Sequence, residues 1–544
     1  MKIITLLSFV FYPLFFYVCG GDFNPIRPYY VQMSLTCIVA ILSIVLIHSF
    51  FRYVLGFIFA FIISAQFVHI LVTGNYIVPL SFSNASEISS VPFYLIIQAI
   101  VIFILICGYS CWHLFYLAKH NSVRKTISLI SLCIFLGLLC MKNNPIHAFF
   151  RTLSDYYDEV HWSVNESTIK KQKEIYGKQI IYHNNKTVPD LHNKNIIVLF
   201  AEGFSYDTLS SVSKYDNLTP NLDAFINSSL SFENYYNHTA ATFRGIRGTL
   251  SSSYQKMGGV SLYNDKKGIA DMNGVEIAEQ FKDTVIDLPH ILKKHNYNTY
   301  FLSAHSSEYN LNKMLQQMDF DKVFGADDYQ KNVSLLTDQQ IFSYLSNLIE
   351  TKKLQEPYFI AVYNIGTHLG QDSPDVKYQF NGKNDNIILN SLHNYDDAFG
   401  KFIRKVRKEK NVTVILTADH AAYPSPLYNE TFHKQRQYFV DKIPFAIWSL
   451  GISPKKINVN GRNSLDFAPT LLNMMNINNE FNYFLGCSLF DKNCALNFDH
   501  ITAIGSAFFT TKNSSINVLG VSRESSDNPV IQKIIDSYSL SGKE

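Results

Sequence analysis

Residues 412–419 read Val-Thr-Val-Ile-Leu-Thr-Ala-Asp and are followed by His420. A short run rich in β-branched and apolar residues is typical of a strand that is buried on both faces. The polar Asp-His pair then falls at the carboxyl end of the strand, which is the edge where open parallel sheets bind their ligands. This stretch therefore predicts a buried strand that delivers two reactive side chains to the edge of a sheet.

Four further runs have the same character, and helix-like stretches separate them. The strand-like runs are 195–202, 299–305, 358–363 and 444–448, and the helix-like stretches are 287–295, 336–353, 389–409 and 464–475. Alternating strands and helices predict an α/β domain whose central sheet is mostly parallel and covered on both faces. An antiparallel part is expected near the C-terminus, from Ile501 to Ser522.

The first 141 residues differ in kind from the rest of the chain. Only eight of them are charged, against 83 of the remaining 403. Five apolar runs are visible, at 3–20, 31–51, 53–74, 93–117 and 126–141, and most approach the roughly 20 residues needed to cross a bilayer. A helical transmembrane bundle of about five spans is therefore predicted, with four or six spans as alternatives.

The positive charges of this region predict its orientation. Five spans place Lys2, Arg52 and the basic residues at 119–125 on one face, and only Arg27 in the short loops of the other. Since cytoplasmic loops are enriched in Lys and Arg, the N-terminus is expected inside and everything after Met141 outside. A cleaved signal peptide is the alternative for residues 1–20, but the bulky residues before Gly20 fit a cleavage site poorly.

These patterns predict a transmembrane domain at 1–145, a juxtamembrane connector at 146–190 whose composition allows amphipathic helices without requiring them, and a large exported domain at 191–544. In the exported part, Cys487 and Cys494 form a close pair suited to a disulfide, with a metal clip as the weaker alternative. The formal net charge is only +3, which offers no whole-chain electrostatic case for binding nucleic acid.

Several polar residues are expected at the carboxyl edge of the sheet. Glu202 and Asp419 each follow an apolar run, and His420 is adjacent to Asp419; His305 and His368 also follow predicted strands. A lone acid after a strand is usually a helix cap or a solvated loop residue. Two carboxylates with an imidazole are instead a ligand set suited to Zn²⁺ or Mn²⁺, with Mg²⁺ as a further candidate.

The segment from His238 to Ser252 offers a nucleophile. Small residues lead into Thr242, and the following stretch can form a helix whose N-terminus favours an anion. A metal lowers the pKa of a coordinated hydroxyl, although Thr242 could equally be a simple helix cap. Arg244 and Arg247 could clamp a phosphate or face solvent in ion pairs.

The order of these motifs resembles the alkaline-phosphatase/sulfatase superfamily: Glu202 after a first strand, Thr242 before a helix, Gly-Thr-His368, and a strand ending in Asp419-His420. The chain is most similar to the membrane-bound group with lipoteichoic acid synthase, periplasmic-glucan phosphoglycerol transferases and lipid A phosphoethanolamine transferases. That resemblance covers essentially the whole chain, because this group joins an N-terminal multi-span region to an exported catalytic domain.

The resemblance assigns roles residue by residue. It implies one divalent cation held by Glu202, Thr242, Asp419 and His420, with Thr242 also the nucleophile. It further implies that His368, on the substrate side, and His433, downstream of the Asp-His pair, take part in catalysis. Together with Arg244, Arg247 and His305, His368 is expected to contact substrate.

The implied reaction transfers a phosphoalcohol head group from a membrane phospholipid to a hydroxyl of a cell-envelope glycan, through a phosphothreonine ester. A bacterial plasma membrane location with a periplasmic or extracellular catalytic domain follows. Phosphoglycerol is favoured as the head group, because phosphoethanolamine transferases of this group typically have several exported disulfides. Phosphoethanolamine transfer to lipid A remains an alternative.

Departures from the family patterns bear on the type of reaction. Formylglycine sulfatases have Pro and Arg two and four positions after the nucleophile, whereas Thr242-Phe-Arg-Gly-Ile stands here, so a true sulfatase is disfavoured. The segment 308–313 lacks the Arg that lipoteichoic acid synthases offer to glycerol phosphate. A phosphodiesterase-like hydrolase and a non-catalytic glycan binder remain rivals, while the scarcity of ionisable residues in the spans argues against a transporter.

Overall fold

A computed structural model describes the fold of the chain. The described residues are 49–73, 93–119, 125–139, 144–160, 188–255, 274–281, 286–368, 376–434, 438–491, 500–521 and 528–538, with single gaps at 384 and 506 and short described stretches elsewhere. The predicted apolar run at 3–20 and Cys494 lie outside these residues.

The chain divides into two compact units. The first contains residues 1–158 and 424–438, and the second contains residues 159–423 and 439–544. The sequence pattern predicts a single crossing from a membrane domain to an exported domain. The segment 424–438, which follows the Asp419-His420 pair closely in sequence, belongs to the first unit.

Helices dominate the first unit, and helices also cover the sheet of the second. In chain order the described helices are α1 (Ser49–Thr73), α2 (Phe93–Lys119), α3 (Lys125–Leu139), α4 (Pro145–Val160), α5 (Pro220–Asn227), α6 (Thr242–Ser251), α7 (Gly274–Phe281), α8 (Leu288–Lys294), α9 (Asn310–Leu315), α10 (Ala326–Tyr329), α11 (Asp338–Glu350), α12 (Ile387–Val406), α13 (Pro426–Phe432), α14 (Phe467–Met474) and α15 (Pro529–Ser537).

Within the described residues, two helices of the first unit are long and apolar enough to cross a membrane. These spans are Tyr53–Val72 in α1 and Phe93–Trp112 in α2. The apolar part of α3, Leu129–Leu139, is too short for the same test. The prediction of five spans is therefore supported for two. The described α3 is shorter than a span, the run at 3–20 lies outside the described residues, and the run at 31–51 is described only in part.

Gln66 accounts for a polar position inside the first of these spans. Its side chain is fully buried; Nε2 donates to the carbonyl of Pro145 at 2.9 Å, and Oε1 accepts from the backbone N–H of Ile77 at 2.8 Å. Both polar atoms of the amide are thereby satisfied, which removes most of the cost of burying it. Gln66 thus ties α1 to the start of α4 and to the loop around Ile77.

The segment 424–438 supplies α13 to this first unit, where α13 packs on α1. Its N-terminus is capped by Ser425, whose hydroxyl accepts from the backbone N–H of Tyr428 at 3.1 Å. The helix ends at His433, which adopts a left-handed backbone with φ 52°. The described part of the segment therefore contains one short helix, Pro426–Phe432, with its C-cap at His433.

The second unit is built on strands, and each of the five apolar runs predicted as strands corresponds to one of them. In chain order the described strands are β1 (Lys178–Gln179), β2 (Asn195–Ala201), β3 (Leu230–Glu233), β4 (Asn298–Ser303), β5 (Lys322–Phe324), β6 (Tyr358–Tyr363), β7 (Val412–Ala418), β8 (Ala446–Ser449), β9 (Lys455–Asn458), β10 (Phe481–Asn482), β11 (Ile501–Ile504), β12 (Ala507–Thr510) and β13 (Asn517–Val521).

Among these strands, the largest sheet has the order β5-β4-β6-β2-β7-β8-β3-β9. The pairs from β5 to β7 are parallel, and β8 runs antiparallel to both of its neighbours. Every residue of β2, β6 and β7 is buried. The predicted α/β class and mostly parallel sheet are confirmed, and the central strands are the ones whose carboxyl ends carry the candidate residues.

The C-terminal part also agrees with its prediction. Strands β11, β12 and β13 form an antiparallel sheet, with Ile501 paired to Thr510 and Ala507 paired to Val521. Cys487 is disulfide-bonded. Its loop is held by Arg462, whose guanidinium donates to the carbonyl of Cys487 at 2.9 Å and to Asp466 at 2.7 Å.

Candidate metal centre and nucleophile

The register of β2 and β7 brings three polar side chains to one point. Ala201 is paired with Ala418, so Glu202 and Asp419 leave adjacent parallel strands at the same level. Glu202, Asp419 and His420 are 2 %, 0 % and 5 % exposed. Their ligand atoms all lie within 4.8 Å of one another, which is the spacing expected of residues that share a cation.

Asp419 has one oxygen satisfied by the backbone and one that is not. Oδ1 accepts from the N–H groups of Gly203 and His420, both at 2.8 Å. Oδ2 is buried and has no hydrogen-bond partner among the described residues. A buried carboxylate oxygen without a partner is costly, so this atom fits the role of a metal ligand.

The imidazole of His420 is oriented in the way that metal-binding histidines usually are. Nδ1 lies 2.8 Å from the carbonyl oxygen of Ala421, which fixes that nitrogen as the donor. Nε2 is then left with a lone pair, 3.5 Å from Oε1 of Glu202 and 3.4 Å from Oδ2 of Asp419. Burial lowers the pKa of His420, although the charge on Glu202 opposes this, so the neutral ligand form is favoured.

The two carboxylates are electrostatically coupled. Burial raises the pKa of Asp419 well above its usual range, and the negative charge of Glu202 raises it further. Burial acts in the same direction on Glu202, but His420, His368 and the hydroxyl of Tyr363 hold the pKa of Glu202 below its ordinary value. Two buried carboxylates at this distance are stabilised together by a divalent cation, and the residues present therefore fit one.

Thr242 lies beside this cluster as the first residue of α6. Its Oγ1 donates to Oε2 of Glu202 at 3.0 Å. The helix can approach so closely because residue 245 is glycine: a Cβ there would stand 2.2 Å from the carbonyl oxygen of Asp419. The hydroxyl thus lies at a helix N-terminus and beside the predicted metal ligands. This position suits a nucleophile that attacks an anionic ester.

Tyr363, the last residue of β6, is a functional candidate that the sequence patterns did not single out. Its ring is 1 % exposed, and its hydroxyl donates to Oε2 of Glu202 at 2.5 Å. Burial and the nearby carboxylates raise its pKa well above the usual value, so the phenol is held as a donor. In the sequence Tyr363 is one more residue of an apolar strand, and only the pairing of β6 with β2 brings it to Glu202.

His305 and His368 lie on the side of β4 and β6. His305 stacks on Tyr309 with ring centroids 3.9 Å apart and lies nearly parallel to Tyr363 at 6.1 Å. Burial lowers the pKa of His305 to about 4. The charge of His368 lowers the pKa of Glu202 and adds to burial in lowering the pKa of His305. The predicted substrate-side histidine is therefore close enough to interact electrostatically with the cluster.

The two arginines of α6 have different surroundings, although both are buried. Arg244 donates from Nε to the carbonyl of Ala240 at 2.6 Å, and its charge adds to burial in lowering the pKa of His420. Arg247 hydrogen-bonds to Gln255 and lies over the ring of Phe281, 5.1 Å from its centroid. Arg244 is therefore near the cluster, whereas the described contacts of Arg247 are those of a packed core residue.

His433 and the stretch 464–472 are two further features of the sequence. His433 lies in the segment that belongs to the first unit, so its catalytic role stays a prediction. The stretch 464–472 forms a short 3₁₀ turn and the start of α14, in which Ser464 receives a hydrogen bond from the backbone N–H of His238 at 3.0 Å. That stretch therefore supports the segment leading to Thr242.

Comparison with known proteins places this site in context. The model of the family described as Sulfatase matches residues 194–477, a range that contains Glu202, Thr242, His368, Asp419 and His420. No curated protein sequence matches the chain significantly. A solved protein in the alkaline phosphatase superfamily from Vibrio parahaemolyticus is 16 % identical with a TM-score of 0.50, over 70 % of this chain and 95 % of that one, which shows a shared fold.

Two further solved structures are similar to the chain. The lipoteichoic acid synthase LtaP from Listeria monocytogenes is 15 % identical with a TM-score of 0.48, over 68 % of this chain and 96 % of that one. The integral membrane protein lipooligosaccharide phosphoethanolamine transferase A from Neisseria meningitidis is 12 % identical with a TM-score of 0.46, over 91 % of this chain and 98 % of that one.

Proposed function

Because this chain belongs to the sulfatase family, we propose that it is a membrane-attached phosphotransferase. Its reaction moves a phosphoalcohol head group, phosphoglycerol in preference to phosphoethanolamine, from a phospholipid to a hydroxyl of a cell-envelope glycan. The observation that carries the proposal is the hydrogen bond from the Thr242 hydroxyl to Glu202, within the cluster that includes Asp419 and His420.

The chemistry is a double displacement at phosphorus. The Thr242 hydroxyl loses its proton to solvent and its oxygen attacks the phosphorus of the head group. The bond from phosphorus to the diacylglycerol oxygen breaks, and the diacylglycerol oxygen takes up a proton. The head-group phosphate stays on Thr242 as an ester. A glycan hydroxyl then attacks the same phosphorus, loses its proton, and releases the threonine hydroxyl.

Each nearby side chain has a task in this scheme. A divalent cation bound by Glu202, Thr242, Asp419 and His420, Zn²⁺ or Mn²⁺ on their ligand types, supplies charge neutralisation and a lowered pKa for the threonine hydroxyl. His368 protonates the leaving oxygen and deprotonates the acceptor. Arg244 contributes positive charge near the phosphate.

Attachment to a membrane is coherent with a lipid donor. The first unit offers two apolar helices of spanning length, and large apolar side chains of α2 such as Phe93 and Ile104 are 75 % and 60 % exposed. Side chains of that kind are stable when they face hydrocarbon. Tethering the catalytic unit to the bilayer that contains its donor raises the effective concentration of that donor.

The cysteines of the second unit bear on the compartment and on the head group. The bonded Cys487 in the second unit fits an oxidising compartment, and therefore a catalytic unit outside the cytoplasm. A single close cysteine pair in the exported sequence favours phosphoglycerol over phosphoethanolamine, by the likeness drawn from the sequence.

The test offers head-group-labelled phosphatidylglycerol and phosphatidylethanolamine to the full-length protein in detergent. We expect label from phosphatidylglycerol on a peptide that contains Thr242, and transfer of that label when a glycan acceptor is added. Thr242→Ala should abolish both while metal stays bound through the other three ligands. Thr249→Val is the matched control, since Thr249 is a buried threonine of the same helix whose hydroxyl has no partner among the described residues.

Three results would change the proposal. Label on Thr242 from phosphatidylethanolamine alone would replace the favoured head group. Free head-group phosphate without modification of any acceptor would indicate a hydrolase. A fully active Thr242→Ala variant would refute the nucleophile and with it the double displacement.

A further inference from the structure

Asp338 is a buried carboxylate that the chemistry described above does not use. It is the first residue of α11 and is 1 % exposed. Thr337 caps the helix ahead of it, accepting from the backbone N–H of Gln340 at 3.3 Å. The N-terminal end of a helix favours a negative charge, so this position suits a buried carboxylate.

The carboxylate of Asp338 is directed at the loop that follows β6. Oδ1 accepts from Nδ2 of Asn364 at 2.9 Å and from the backbone N–H of Gly366 at 3.2 Å. Oδ2 lies 3.4 Å from Nδ2 of Asn394. A Cβ on residue 366 would stand 2.1 Å from Oδ2 of Asp338, so the loop can approach this carboxylate only because residue 366 is glycine.

Asn364 relays this contact to Glu202. With its amide nitrogen on Asp338, its Oδ1 accepts from the backbone N–H of Glu202 at 3.1 Å. The ladder between β2 and β6 pairs Phe200 with Tyr363, and the Asn364 side chain provides the next hydrogen bond beyond that pair. The orientation of the amide is thereby set at both ends.

The same loop also binds the other backbone polar group of Glu202. The hydroxyl of Thr367 donates to the carbonyl oxygen of Glu202 at 2.5 Å. His368 is the next residue, and its backbone N–H donates to the carbonyl of Ile365 at 2.9 Å. One loop therefore holds the backbone of a predicted metal ligand and carries the predicted substrate-side histidine.

We propose that Asp338 is a positioning residue, which acts through Asn364 and Gly366 to set the orientation of Glu202 and of His368. Replacing the Asp338 carboxylate by an amide removes an acceptor for the Asn364 NH₂. The Asn364 amide can then rotate and present its NH₂ to the N–H of Glu202. Two donors facing each other displace the Glu202 backbone, and the carboxylate loses its alignment with Asp419 and His420. This inference rests on the metal site of the proposed function.

The test measures the dissociation constant for Zn²⁺ and Mn²⁺ by competition with a chromophoric chelator, on full-length protein in detergent. Asp338→Asn keeps the shape of the side chain and should weaken metal binding about tenfold, which is the size of effect that outer-shell partners have. Gly366→Ala leaves the chemistry of Asp338 intact but pushes the loop away from it. It should weaken metal binding in the same direction.

A pair of variants tests the relay by exchanging its donor and acceptor. Asn364→Asp alone places two carboxylates against each other and should bind metal most weakly. Adding Asp338→Asn restores a donor opposite the new acceptor, so the double variant should recover part of the affinity. A residue that only stabilised the fold would not produce this recovery.

Asp396→Asn is the matched control. Asp396 is also a fully buried carboxylate that accepts backbone hydrogen bonds at a helix N-terminus, here from Asn221 at 3.2 Å and Leu222 at 2.7 Å. Its replacement should lower the melting temperature without changing metal affinity.

The outcomes separate this inference from the proposed function. Wild-type protein that binds neither cation would overturn both. If wild-type protein binds metal and Asp338→Asn and Gly366→Ala bind it equally well, only the role of Asp338 is overturned. A loss of metal affinity in Asp396→Asn as large as that in Asp338→Asn would overturn it too. If Asp338→Asn does not fold, Gly366→Ala and the double variant Asp338→Asn/Asn364→Asp test the role of Asp338. A double variant that binds metal no better than Asn364→Asp alone would refute the relay.

Discussion

The hydroxyl of Tyr363 donates a 2.5 Å hydrogen bond to Oε2 of Glu202. Thr242 donates to that same oxygen at 3.0 Å, and the other carboxylate oxygen, Oε1, is the one that faces His420. Two hydroxyl groups therefore distinguish the two oxygens of one carboxylate. Tyr363 is the more buried of the two donors and fixes the orientation in which Glu202 meets Asp419 and His420.

Replacing Tyr363 by phenylalanine should weaken metal binding about 10- to 100-fold, as expected when a partner of a metal-binding carboxylate is lost. The ring, with its stacking on His305, is retained, so the fold should be kept. Chelator competition with the metal measures the effect. Tyr235→Phe is the control, because the Tyr235 hydroxyl is buried without a hydrogen-bond partner among the described residues. Equal affinities in all three proteins would refute the role of Tyr363.

Asp419→Asn should lose metal more severely than Tyr363→Phe, because it removes a direct ligand rather than a supporting donor. The amide oxygen can still accept from the N–H groups of Gly203 and His420, so the NH₂ takes the place of Oδ2. Elemental analysis of the purified protein measures the metal content. Asp287→Asn is the control: it changes another buried aspartate of the second unit and should leave the metal content unchanged. Unchanged metal in Asp419→Asn would remove Asp419 from the ligand set.

Gly245→Ala should reduce the rate of head-group transfer and destabilise the second unit by about 1 to 3 kcal/mol, the usual cost of overpacking. The added Cβ meets the backbone oxygen of Asp419 at 2.2 Å, and backbone cannot move aside as a flexible side chain can. Thermal unfolding and the transfer rate are the measurements. Gly108→Ala is the control, since no atom lies within 4 Å of a Cβ at that position. A variant at 245 that behaves like the one at 108 would contradict the packing of α6 on Asp419.

His238 should make the second unit sensitive to acid. Burial lowers the pKa of His238 from 6.5 to about 3, so its contribution to stability is complete above pH 6.5 and is lost as the pH falls toward 3. At about 1.36 kcal/mol per pH unit, roughly 2 kcal/mol is lost between pH 6.5 and pH 5. Nδ1 lies 2.6 Å from the Ser464 hydroxyl, a contact that glutamine can replace without titrating.

The measurement is the melting temperature of the full-length protein between pH 7 and pH 5, for wild type and His238→Gln. The melting temperature of the wild type should fall more steeply with decreasing pH than that of the variant. Comparing the two removes the contribution of groups such as His305 that titrate in both. Parallel curves would show that the pKa of His238 is the same in the folded and the unfolded protein, and would contradict the prediction.

Much of the fold could be predicted from local patterns. The apolar runs ending at Glu202, Tyr363 and Asp419 are strands because a continuous stretch of β-branched and apolar residues can be satisfied only by burial on both faces. The helices at 287–295 and 389–409 are recovered as α8 and α12 with small shifts at their ends. Strands β3 and β9 were missed, because each has four residues and polar or charged members.

The candidate site was predicted less completely. Glu202, Asp419 and His420 could be named from their position after strands, because parallel strands present their carboxyl ends at one edge. Tyr363, Asn364 and Asp338 could not, because their roles depend on contacts across 26 to 162 positions of sequence that no local pattern encodes. Arg247 stands close to the nucleophile in the helix, yet only packing shows that its guanidinium lies against Phe281.

The residue sequence by itself determined the long apolar strands β2, β4, β6 and β7, and the polar residues that follow β2 and β7. It also determined the contrast between an apolar first part and a mixed second part, because each of these features depends on neighbours along the chain. The tertiary structure alone decided that Ala201 stands opposite Ala418, that one oxygen of Glu202 is bound by Tyr363 and Thr242, and that 424–438 joins the first unit. The physical reason is that strand register and side-chain packing are set by long-range complementarity of buried surfaces, and a shift of one residue would turn each of these side chains to the opposite face of the sheet.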